Sequence, residues 1–285
     1  MTVDNLVYEV VDGWGELPEG WIYTQVPGVA VDNHDRVYVF NRGLHPVIVY
    51  DREGKFLGSW GEGVFKTPHG IYIDSDDNIF CVDSGDHTVR KFDVEGKLLL
   101  KLGSVGEPGS FGEPFNRPTD SAVSSKGDIF VTDGYGNSKV HRFTSTGELL
   151  LSWGEPGDGP GQFNIPHGVW VDRDDRVWVA DRQNNRLQIF TGEGGYLDEW
   201  TGFSLPCTVY IDKLDRVYVS ELRSRVSVLS IEGELLARWG GEKSVAPGEF
   251  VAPHCAWVDS HGDLYVGEAL EGQRIQKFTL RKSEY

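Results

Sequence analysis

The feature that most constrains this chain is a proline that returns six times, each time at the head of an apolar alternating run. The starts are "VPGVAVD" (Pro27), "TPHGIYID" (Pro68), "RPTDSAV" (Pro118), "IPHGVWVD" (Pro166), "LPCTVYID" (Pro206) and "APHCAWVD" (Pro253), and successive prolines lie 41, 50, 48, 40 and 47 residues apart. After each start come a polar turn, a second alternating run such as "RVWVAD", a third such as "RLQIF", a glycine turn and a fourth run. Strict alternation over four to eight residues is the pattern of a half-buried strand. Four short strands per repeat, with six repeats, describe the blades of a β-propeller. The expectation is therefore an all-β, six-bladed β-propeller forming a single domain over residues 1–285.

The fourth runs show how such a ring closes. They end in Trp-Gly at Trp60, Trp153 and Trp239, in weaker forms at Leu102-Gly103 and Trp200-Thr201, while the last repeat ends in "RIQKFTLRKSEY" with no such mark. Trp14-Gly15 carries it instead, ahead of the first proline. Residues 6–14 are thus expected to supply the missing fourth strand of the last blade, joining the two ends of the chain and removing an open sheet edge.

Composition narrows the function. With 39% hydrophobic residues the chain has ample material for a core, and it contains no run of about 18 apolar residues that would span a membrane. A net charge of −17 repels phosphate backbones and argues against a nucleic-acid partner. The start "MTVDNLVYEV" shows no secretory pattern, and Cys81, Cys207 and Cys255 are too few and too scattered for a disulfide framework. A cytoplasmic monomer is expected.

Chemistry resides in what the repeats do not share. The first strand of each propeller blade lines the central channel, so the residue after the aligned proline belongs to a ring of six: Gly28, His69, Thr119, His167, Cys207 and His254. Histidines take alternate slots, about 120° apart around a six-bladed axis, so three imidazoles can converge. Three neutral imidazoles with a fourth position open form a catalytic zinc site rather than a closed structural one. Cys207, between two histidine blades, reads as a small lining residue.

The loop after the second strand opens on an acidic or Asn residue in all six repeats, which is expected to order the turn. Among these loops only "TDGYGNSKV" carries an aromatic, Tyr135 between Gly134 and Gly136. It is either a surface cap or an acid–base group, the latter where a cation favours its ionised form. Arg42 and Arg182 occupy the slot after the acidic or Asn residue in blades one and four. Each reads as a solvated charge or an anion clamp, and spacing does not rank them.

Together "FNRG" at 40–43, "PHG" at 68–70, "RPTD" at 117–120, "DGYGNS" at 133–138, "PGQFNIPHG" at 160–168, "ADRQNNRLQ" at 180–188 and "APH" at 252–254 resemble, in the same order, the peptidyl-α-hydroxyglycine α-amidating lyase family, whose repeats are of NHL type. The resemblance covers nearly the whole chain. It implies that His69, His167 and His254 bind Zn2+, that Tyr135 is the catalytic base, that Arg42 lies beside it, and that a carbinolamide is split into an amide and glyoxylate.

The departures from the family matter too. The family's calcium site takes a carboxylate where this chain has Cys255, which tells against Ca2+ despite carbonyls available at Val29 and Ile71; a pocket methionine is replaced by Ala252. The substrate is then a small or peptide carbinolamide. Two other readings stand beside it: a zinc hydrolase of esters or lactones, which would use the same metal to make hydroxide, and a non-catalytic interaction scaffold, which would need none of these residues.

Overall fold

The computed structural model describes residues 6–281. Apart from one 3-10 turn at Arg182–Asn184, every regular element among these residues is a strand. Among the described residues there are six four-stranded sheets, five built from one repeat each and the sixth completed by a strand from the other end of the chain, and they form the six-bladed β-propeller arrangement expected from the sequence. No helix of the described residues is long and apolar enough to cross a membrane.

The strands that matter below are β1 (Val7–Val11), the six inner strands β2 (Gly28–Val31), β3 (Pro68–Ile73), β4 (Asp120–Val123), β5 (Pro166–Val171), β6 (Pro206–Ile211) and β7 (Pro253–Val258), and the long β8 (Arg274–Arg281). The chain divides into two compact units, residues 61–209 and residues 1–60 with 210–285.

Unit 61–209 holds the three sheets that begin with β3, β4 and β5. Its core is the apolar face of each sheet laid on the next. One cluster contains Phe80, Val82, Phe115, Val131 and Phe143, and another contains Phe130, Phe163, Val169, Val179 and Phe190. Each such side chain contributes about 1.5–3 kcal/mol when fully buried. Middle strands, covered on both faces, are buried throughout, as at Ile129–Asp133, whereas the outer strand Leu149–Trp153 is partly exposed.

In the other unit β1 pairs antiparallel with β8, from Val7 opposite Arg281 to Val11 opposite Lys277. This completes the sheet headed by β7, as the displaced Trp-Gly mark predicts. One detail differs. Trp60, Trp153 and Trp239 lie inside paired strands, but Trp14 falls three residues beyond β1, because Asp12-Gly13 turns the chain with a glycine φ of 72°. Trp14 still packs, its ring 5.0 Å from Tyr265 and 5.4 Å from Tyr50, and its indole N–H donates to the Arg52 carbonyl at 2.9 Å.

Candidate metal centre and its tyrosine

In blades two, three, four and six the acidic residue that opens the second-to-third-strand loop fixes the segment leading into the inner strand of its own blade. Asp133 accepts the Asn116 N–H at 2.9 Å, Asp181 that of Asn164 at 2.8 Å, Asp83 that of Thr67 at 2.8 Å, and Glu268 that of Ala252 at 3.0 Å. A buried carboxylate receiving backbone N–H groups is both satisfied and rigid. In these four blades the segment entering the inner strand is held in place from behind.

The three histidines are buried, with 1%, 1% and 4% exposure for His69, His167 and His254. Their Nδ1 atoms lie against carbonyl oxygens: Thr119 at 2.6 Å, Cys207 at 2.8 Å and Pro27 at 2.8 Å respectively. A carbonyl only accepts, so each Nδ1 carries the proton and each neutral ring presents the Nε2 lone pair. One ligand nitrogen from each histidine falls within 4.8 Å of the other two. Three lone pairs fixed by backbone acceptors are a donor set that fits a divalent metal of the zinc type.

Tyr135 sits half-buried at this cluster. Its oxygen is 2.9 Å from His69 Nε2 and 3.1 Å from His167 Nε2, and its ring meets both imidazoles edge-on. The flanking glycines make the approach possible. A Cβ on Gly134 would meet the Pro166 carbonyl at 2.0 Å, and one on Gly136 would meet Asn116 at 2.2 Å. The loop is tied down by Gly136 N–H to Asn116 O at 2.9 Å and Tyr135 N–H to Arg117 O at 3.4 Å.

Two guanidinium groups meet this tyrosine. Arg182, 8% exposed, lies 5.3 Å from the ring centroid with Nη1 3.4 Å from the phenol oxygen, and its Nε has no hydrogen-bond partner. Arg117 lies 5.0 Å from the same ring. Spacing does not rank Arg182, yet the structure puts it at the tyrosine. The sequence reading passes over Arg117, although it is the one charged residue among the six that precede the aligned prolines. Arg42 donates from Nη1 to Gln25 Oε1 at 2.6 Å, and its backbone N–H donates to Gln25 O.

All three cysteines are buried, and no disulfide joins them. Cys207 contributes its carbonyl to His167, and the Cys255 sulfur lies 3.8 Å from the Val26 carbonyl. Asp120, half-buried at the head of β4, accepts N–H groups from Ser121 at 2.9 Å and Val169 at 3.3 Å. Burial pushes its carboxyl up to about 7, against the lowering effect of those two hydrogen bonds.

Comparison with known proteins adds names to this arrangement. The NHL repeat family matches residues 65–92, 115–143 and 163–190. Human NHL repeat-containing protein 3 is 33% identical over 212 residues, which cover 70% of this chain and 60% of that protein. Rat peptidylglycine alpha-amidating monooxygenase is 38% identical over 199 residues, covering 58% of this chain but only 20% of its own length. A probable peptidyl-alpha-hydroxyglycine alpha-amidating lyase of Caenorhabditis elegans is 34% identical over 149 residues, covering 51% and 43%. Among solved structures, a streptogramin B lyase aligns with a TM-score of 0.68 at 14% identity over 97% of this chain and 98% of its own. A gluconolactonase from Xanthomonas campestris aligns at 0.69 and 15% identity over 91% and 87%. These two likenesses show the fold alone.

Proposed function

From a chain that carries NHL repeats on a six-bladed β-propeller and has homologues named peptidyl-alpha-hydroxyglycine alpha-amidating lyase, we propose a zinc-dependent carbon–nitrogen lyase that splits an α-hydroxyglycine-type carbinolamide into an amide and glyoxylate. The observation that carries this reading is the tyrosine oxygen held at 2.9 and 3.1 Å from two imidazole nitrogens of the histidine cluster, with Arg182 Nη1 3.4 Å from the same oxygen.

The reaction needs few parts. The substrate hydroxyl loses its proton, its oxygen becomes the carbonyl of glyoxylate, and the C–N bond breaks with its electron pair going to the amide nitrogen. That nitrogen takes up one proton, so the step is neutral in protons and electrons. His69, His167 and His254 would hold zinc through Nε2, and the bound ion supplies Lewis-acid polarisation of an oxygen. Tyr135 is the group that accepts the hydroxyl proton. Arg182 and Arg117 put positive charge beside the ring and oxygen where the anionic form of that base carries its negative charge. Thr119, Cys207 and Pro27 keep the imidazoles in one tautomer through their carbonyls.

Metal analysis of the purified protein, followed by assay of glyoxylate release from N-benzoyl-α-hydroxyglycine, tests the reading. About one zinc per chain with stoichiometric glyoxylate and benzamide supports it. Ester or lactone cleavage without any glyoxylate would replace it by the zinc-hydrolase alternative.

A further inference from the structure

The residues before the aligned prolines form a second ring: Val26, Thr67, Arg117, Ile165, Leu205 and Ala252. Three of them, Arg117, Ile165 and Leu205, are left-handed, with φ of 61°, 60° and 55°. That region is uncommon for large side chains, and a following proline narrows the choice further. The backbone is stabilised by a recurring contact. A left-handed residue in the preceding blade's loop accepts the N–H: His87 Nδ1 takes that of Arg117 at 3.0 Å, and Asn185 Oδ1 takes that of Leu205 at 2.9 Å. The conformation therefore belongs to the scaffold. The guanidinium does not, since the same slot is apolar in blades four and five.

Arg117 is exposed, yet its backbone carbonyl accepts the Tyr135 N–H and its guanidinium lies over the Tyr135 ring. An exposed cation lying over the ring of a tyrosine that touches two buried imidazoles is placed to meet an anionic group as it enters. We propose that Arg117 is a specificity-determining residue that binds the substrate carboxylate, and that His87 is a positioning residue acting through the Arg117 backbone. This rests on the lyase reading for the identity of the anion.

Calorimetry of N-benzoylglycine, an unreactive carboxylate, against neutral N-methylbenzamide tests it on the full-length, zinc-supplemented protein. Arg117→Ala is expected to weaken the carboxylate about tenfold more than the neutral amide, the scale of one charge-assisted contact. His87→Ala reproduces part of that loss. His87→Asn, which keeps an acceptor and tolerates positive φ, restores it, and a purely surface role for His87 would show no such rescue. Equal losses for both ligands, no loss in Arg117→Ala, or failure of the wild type to bind N-benzoylglycine would each overturn the proposal. Failure of the lyase reading looks different: the wild type releases no glyoxylate from N-benzoyl-α-hydroxyglycine while Arg117-dependent carboxylate binding persists.

Discussion

Five of the inner strands fall into two kinds. β3, β5 and β7 each slip register beside their histidine, between Pro68 and Ile71, Pro166 and Gly168, and Pro253 and Cys255. In contrast, β2 and β4 pair without interruption. A bulge leaves one residue outside the ladder and re-aims its side chain. At the equivalent place ahead of β4, the Thr119 hydroxyl is spent on backbone and hydroxyl partners, including Pro166 O and Thr132 Oγ1, both at 3.0 Å. One repeat thus yields either a wall or a ligand, depending on whether a bulged histidine or an in-line small residue follows the proline.

The strongest way to break this contrast is to turn β5 into a copy of its neighbour. His167→Thr removes one of three nitrogens while giving the slot the residue that blade three already uses. Most of the bound zinc and turnover below about 1% of wild type are the expected losses, measured by metal analysis and glyoxylate assay. Retention of stoichiometric metal would show that the three histidines are not the ligand set.

Tyr135→Phe sharpens the same contrast from the side of the tyrosine. The ring and its edge-on contacts with His69 and His167 remain, and only the oxygen is lost. Zinc content should hold while turnover falls about 10²-fold or more, the usual scale for a general base. Near-normal turnover would assign the proton to another group.

Much of this was legible in the letters. Spacing of the prolines fixes the number of blades, the displaced Trp14 foretells the β1–β8 pairing, and the alternate slots of His69, His167 and His254 bring their nitrogens together as expected. The arginines were not legible. Periodicity locates a backbone slot, but a long side chain reaches several ångströms from it in a direction set by local φ and rotamer. Arg117 reaches Tyr135 from a left-handed residue before a proline, and Arg182 from a 3-10 turn; neither conformation is written in a two-residue alternation.

A smaller effect is expected from the glycine after the histidine. A Cβ on Gly168 would lie 2.6 Å from the Cys207 carbonyl, and one on Gly70 would lie 2.8 Å from the Thr119 carbonyl. Those are the acceptors of His167 and His69. Blade six has Cys255 in this position, and there His254 uses the carbonyl of the aligned proline itself, Pro27, instead of the residue after it. Gly168→Ala should therefore displace the acceptor and lower zinc affinity about 10- to 100-fold, the range for losing a group that orients a metal ligand. A chelator competition that finds unchanged affinity would mean that the carbonyl shifts without taking the imidazole with it.

The smallest effect concerns the strand without a histidine. Asp120 is the one charged residue among the six that follow the ring positions, and its oxygen lies where a Cβ on Gly70 would stand, at 2.4 Å. Burial pushes its carboxyl up to about 7, whereas an unfolded chain ionises near the ordinary value of about 3.9. Between those two values the folded protein holds a proton that the unfolded chain has released. Stability must then fall as pH rises from about 4 to about 7 and level off above, because the unfolded state binds fewer protons in that window. Asp120→Asn removes the titration while keeping the size of the side chain. Melting temperatures at pH 5 and pH 8 should differ less in the variant than in the wild type, by a few degrees for a chain of this length, roughly 2–4 °C per kcal/mol. Other groups contribute equally to both proteins and cancel in that difference. An identical pH dependence in the two would show that the carboxyl of Asp120 is already ionised in the folded protein at pH 5, with the Ser121 and Val169 N–H groups outweighing its burial.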